Sequence, residues 1–273
     1  MREFFIQLST ILIHEYITFF GIYFILGYIL YHIQKATQRQ YVQSIGWKGI
    51  YLTAWIGTPI HECMHIIMAK LFRHNIEQVS LFSPNKETGG LGHVEHSYNK
   101  KSLYQKIGLF FIGAAPLIGG TLVLVLLLRF LVPNGQSILA AIVAWSITDI
   151  SPILASLQAA IPHSMAEIRM LPFTFWLFVY LSFCVVSHMA PSKQDRKHMY
   201  KGLLYLTIVI IIAQAALLLF SPNTPLLSYV YQYQSISVAV LVYAIAISLL
   251  HYILVCFLLT LPRLLWKQLI RRS

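Results

Sequence analysis

Apolar residues run along this chain in long blocks. Stretches able to cross a hydrocarbon layer of about 30 Å occur near 4–33, 49–72, 106–131, 172–190, 202–220 and 230–262. One region departs from that pattern. Ile76 to Phe82 alternates loosely, Asn85-Lys86-Glu87-Thr88-Gly89-Gly90 supplies a turn, and Leu91 to Tyr98 resumes, which predicts a β-hairpin. The stretch 136–171 is apolar enough to insert, yet carries Ser146, Thr148, Asp149, Ser151, Pro152, Gln158 and Pro162. It reads either as a further span or as a re-entrant or interfacial segment. The first run is too long for a cleavable signal peptide, and no small-residue cleavage site follows it. The expected fold is an all-α polytopic membrane protein in a single domain over 1–273. It has about six transmembrane helices, a re-entrant or interfacial segment and a small membrane-associated β-hairpin.

Composition supports this reading. Apolar residues make up 58% of the chain and charged residues 11%, and the mean hydropathy is +0.68. A soluble domain carries about a quarter charged residues, so this chain cannot clothe itself in polar groups. The net charge of +11 would suit a nucleic-acid binder, but the lysines and arginines stand at the ends of the apolar runs. They read as flanks against anionic lipid, and no nucleic-acid partner is expected. If 136–171 turns back, the basic residues divide fifteen to five across the membrane; if it spans, twelve to eight. The first division follows the positive-inside rule better. It puts both termini and Lys193, Arg196, Lys197 and Lys201 on the cytoplasmic side, with Lys35, Arg39 and Lys48 opposite. Cys63, Cys184 and Cys256 lie in apolar surroundings and form no Cys-x-x-Cys, so no disulfide framework follows.

The chemistry concentrates in the second run, at His61-Glu62-Cys63-Met64-His65. On a helix, positions i and i+4 share a face, so both imidazoles can reach one metal ion. Glu62 then stands beside it as a base. Three ionisable groups inside an apolar helix are expensive unless they pair or ligate. His14-Glu15 in the first run has Thr18 where a second histidine would be needed, and reads as a polar contact between helices. A His-Glu-x-x-His pattern within a membrane helix resembles the site-2 protease family of intramembrane zinc metalloproteases. The likeness covers roughly 45–201 and leaves flanking helices at 1–44 and 202–273. The hairpin after the motif is similar to the family's cytoplasmic-side β-structure, whose exposed edge can hold substrate as an added strand. Gly113-Ala114-Ala115-Pro116, with Gly119 and Gly120, is similar to its small-residue helix.

The resemblance implies Zn2+ as cofactor and a third ligand, an aspartate from a later helix. The family's Leu-Asp-Gly is absent, and the chain holds two aspartates, Asp149 and Asp195. Asp195 is the preferred ligand: it follows Pro191 in a break between two apolar runs. There it either caps the next helix beside Arg196 and Lys197 or is carried to the metal. Asp149 stays as the alternative. His188 reads as a helix-contact or substrate-polarising group, and His93 and His96 as surface or substrate-edge residues. The implied activity is hydrolysis of peptide bonds in transmembrane protein substrates, with His61, His65 and Asp195 on zinc and Glu62 as general base. The site would face the cytoplasmic side of the plasma membrane. The rival readings are a catalytically silent zinc-binding scaffold and a zinc or proton transporter.

Overall fold

The structure, a computed structural model, describes residues 2–144, 172–220, 225–226 and 228–272. Asp149 and most of the 136–171 segment lie outside the described residues. The first helical rod has no proline. It runs as α1 (Arg2–Glu15), a π-helical stretch (Tyr16–Gly21) and α2 (Ile22–Ile45). It stops at Gly46, whose φ of 71° suits a residue without a Cβ. The motif helix α3 (Trp47–Leu71) follows, and then β1 (Asn75–Ser80) and β2 (His93–Ser97). Next come α4 (Leu103–Leu131), capped by Ser102 Oγ on the Gln105 N–H, and the short α5 (Gly135–Val143). After the undescribed stretch come α6 (Phe173–Val186) and α7 (Lys193–Phe220). The last rod is α8 (Ser228–Val255), a π-helical stretch (Cys256–Thr260) and α9 (Leu261–Arg272).

Among the described residues, four stretches of helix are long and apolar enough to cross a membrane: Arg2–Ile45, Leu103–Leu131, Lys193–Phe220 and Tyr233–Ile270. Large apolar side chains such as Phe130, Leu219 and Phe220 point outward from them, as suits a lipid surround. The other two expected spans are of a different kind. Helix α3 has 25 residues, about 37 Å of helix, but its polar residues make it less apolar than the four. Helix α6 has 14 residues, about 21 Å, short of a bilayer's hydrocarbon thickness.

The hairpin forms where expected, as an antiparallel pair with Asn75 opposite Ser97 and Ser80 opposite His93, and a register shift between Ile76 and Gln78. The path of α6 and α7 differs from the expectation of two spans meeting at a cytoplasmic break. Along α4, Leu124 shares one buried cluster with Val185, Val186 and Met189, and Gly120 meets Met189. Gly113 then meets Asp195 and Met199, Phe110 meets Gly202, and Lys106 lies over the Tyr205 ring. Falling numbers on α4 thus face steadily rising numbers across the break. Helices α6 and α7 follow α4 as one interrupted track, because the small residues on α4 let both settle against the same helix. The charge division needs correcting for the same reason. Lys35 and Arg196, assigned to opposite sides, both lie against the ring of Tyr31, at 5.8 and 4.6 Å from its centre. Two groups on one ring cannot be separated by a bilayer of about 30 Å.

Candidate metal centre

Helix α3 places His61 and His65 one turn apart, with ring centres 4.9 Å apart. Each ring is oriented from behind by a backbone carbonyl. His61 Nδ1–H donates to the His188 carbonyl at 2.5 Å, and His65 Nδ1–H donates to the Ile112 carbonyl at 2.8 Å. A carbonyl only accepts, so Nδ1 carries the proton, and the neutral ring presents a bare Nε2. The two Nε2 atoms stand 3.2 Å apart. Asp195 completes the group, with Oδ1 3.2 Å from His65 Nε2 and Oδ2 3.5 Å from His61 Nε2.

Two imidazole lone pairs and a carboxylate converging on one point repel one another unless a cation lies between them. Donors about 2.0–2.2 Å from a tetrahedral ion lie about 3.3–3.6 Å from each other, close to the separations found here. The three side chains can hold a metal ion. The carbonyl bonds behind both imidazoles are the outer support that such ligands need. Asp195 also acts as a helix cap. Its Oδ2 accepts the Ser192 N–H at 2.7 Å, while Ser192 Oγ accepts the Asp195 N–H at 3.2 Å. This reciprocal pair is a capping box at the start of α7. The two readings of Asp195 are therefore compatible: the cap holds the carboxylate where the histidines need it.

Glu62 is buried on α3, beneath the hairpin. A Cβ added at Gly92 would lie 3.0 Å from Glu62 Cγ, so the glycine permits that close approach. A cavity of about 150 Å³ opens over the group, walled on one side by His61, Glu62, His65 and Asp195 and on the other by β2 residues Val94 to His96. It has room for several waters, each occupying about 30 Å³ in the liquid. Helix α4 supplies the close packing that brings the carriers together. Gly113 lies against Asp195, and Gly119 lies against Met64 of the motif helix.

Other predicted residues fall as follows. His188 contributes its backbone carbonyl, while its ring pairs with Thr53 Oγ1 at 3.1 Å. His93 is exposed and His96 half-buried, and both line the cavity. Glu15 is fully buried, whereas its neighbour His14 is exposed. His198 was not singled out, yet it lines the cavity one turn beyond Asp195; its i+3 spacing from that aspartate was the available signal. A second row of histidines extends from it. The His198 and His96 rings lie 5.2 Å apart, His96 Nδ1–H donates to His74 Nδ1 at 3.0 Å, and His74 Nε2–H donates to the Gln105 carbonyl at 2.9 Å. Burial lowers the His74 pKa. Burial, then the neighbouring His198 and His74, pushes His96 down to about 4. All three cysteines are free. The chain matches no family model, no curated protein and no solved structure.

Proposed function

We propose that the protein is an intramembrane zinc metalloprotease that hydrolyses peptide bonds of transmembrane protein substrates. The observation that carries this reading is the convergence of His61 Nε2, His65 Nε2 and the Asp195 carboxylate beside a buried glutamate, under a cavity with room for several waters. Imidazole and carboxylate donors in this number suit zinc and leave a position for a reacting group. A zinc ion held there supplies Lewis acidity for the scissile carbonyl and acidifies water. Glu62, one residue along the helix from His61, takes the proton from the attacking water and passes it to the departing amine as the C–N bond breaks. The two carbonyl bonds hold the proton of each ring on Nδ1, which turns the Nε2 atoms of His61 and His65 towards the metal. Strand β2 lines the cavity and pairs only with β1 among the described residues. Its other edge is available to hold an unwound substrate segment as an added strand.

The hairpin end of the bundle carries Lys70, Arg73, Lys86, Lys100, Lys101 and Lys106, the basic excess of a cytoplasmic face. The test is Glu62→Gln in proteoliposomes holding a tagged transmembrane peptide. Zinc content by elemental analysis stays at the wild-type level, while cleavage falls at least about a hundredfold. Undiminished cleavage removes Glu62 from the reaction. Zinc-loaded wild-type protein that cleaves no such peptide favours the scaffold reading.

A further inference from the structure

The break between α6 and α7, Ser187–Ser192, is non-helical backbone in an apolar bundle, with Ser187, His188, Met189 and Ala190 all buried. Backbone groups in such surroundings must find protein partners, and two of those partners here come from the flanking helix α2. Gln38 Nε2 donates to the Ser187 carbonyl at 3.3 Å, and Gln34 Oε1 accepts the Ala190 N–H at 3.0 Å. Both glutamines lie on α2. From α8, His251 Nδ1 pairs with Ser187 Oγ at 3.0 Å, and its Nε2 pairs with the Tyr41 hydroxyl at 2.9 Å. The Phe183 ring stacks on His251 with centres 4.5 Å apart, and Arg196 donates to the Pro191 carbonyl at 2.8 Å. The bonds converge on a turn that does two things for the centre. Its His188 carbonyl orients His61, and its Ser192 caps the helix that presents Asp195.

We infer that the Tyr41–His251–Ser187 chain, aided by Gln34 and Gln38, is the positioning device of the metal centre, so that the flanking helices α2 and α8 set its metal affinity. This rests on the metal-centre reading above. His251 touches no ligand; it acts through Ser187, the neighbour of the residue whose carbonyl holds His61. A histidine and a tyrosine deep between apolar helices are expensive unless their hydrogen bonds serve a purpose. Outer partners of this kind change metal affinity about ten- to a hundredfold when removed.

The experiment is a cobalt(II) titration of the purified full-length chain, followed by visible absorption, which reports ligand arrangement directly. Wild-type protein that takes up no cobalt overturns the metal centre, and this inference with it. With cobalt bound by wild type, His251→Phe raises the dissociation constant at least about tenfold and alters the visible bands. His251→Asn, whose amide can still pair with Ser187, recovers most of both. Wild-type affinity and spectrum in His251→Phe overturn the inference, and so does a loss that His251→Asn leaves uncorrected. Should His251→Phe not fold, Gln34→Met and Gln38→Met test the same turn from α2. A weaker cobalt site in each supports the positioning role, and an unchanged one overturns it.

Discussion

Asp195 does two jobs with two oxygens, and substitution can separate them. Oδ1 faces His65 Nε2 at 3.2 Å, while Oδ2 accepts the Ser192 N–H at 2.7 Å. Asp195→Asn keeps an acceptor for the cap but loses the anionic donor; Asp195→Ala loses both. A structural zinc site of four donors provides about 10–16 kcal/mol. One donor in four is then worth about 3 kcal/mol, roughly two decades in affinity at 1.4 kcal/mol per decade. The cap contributes about 1 kcal/mol to the helix it starts. Both variants should therefore bind zinc at least a hundredfold more weakly. In metal-free protein, only Asp195→Ala should melt measurably lower than wild type. Isothermal titration with zinc and thermal unfolding in detergent with a chelator measure the two effects independently. Wild-type zinc affinity in Asp195→Asn would refute the ligand assignment, and equal melting of all three metal-free proteins would refute the cap.

Other outcomes follow from the same geometry. A Cβ at Gly113 would strike the Asp195 carbonyl and approach the Met199 backbone N to 2.8 Å, so Gly113→Ala should lose about 1–3 kcal/mol of stability and weaken zinc retention. At Gly119 the obstacle is the side chain of Met64, which can rotate aside. Gly119→Ala should therefore lose less in the same unfolding assay, and the reverse ranking would contradict the packing argument. Glu62→Gln should separate zinc binding, retained, from cleavage, lost. The hairpin should loosen in acid. Above the ordinary histidine pKa of 6.5, His96 is neutral folded and unfolded, so its contribution is fully present. As pH falls from 6.5 to about 4, the unfolded chain takes a proton that the folded chain refuses, and stability declines. Burial gives His74 the same sign. Hydrogen-exchange protection of residues 75–97, corrected for intrinsic rates, should fall across that window, and less so in His96→Gln; a flat profile would argue against it.

What could be read along the chain was whatever depends on neighbours in sequence. Helical spacing alone puts His61, Glu62 and His65 within one turn of α3. Alternation and the Asn85–Gly90 turn predict the hairpin, which forms as β1 and β2. A proline-marked break before Asp195 allows a helix cap there, but the need for an aspartate at the metal comes from the family resemblance, which leaves Asp149 open beside Asp195. The charge tally failed where it assumed that apolar runs separated by basic residues must reverse direction. Lys35 and Arg196 share the Tyr31 ring because α6 and α7 continue along α4 instead of folding back. That path depends on which small residues of α4 meet which helix, and one-dimensional patterns contain no such term. Nor could spacing connect Tyr41 and His251, 210 residues apart, through Ser187. Local chemistry names the groups able to ligate a metal. Long-range packing decides which carbonyl steadies each ring, because hydrogen bonds between distant segments exist only after the helices have closed around the turn.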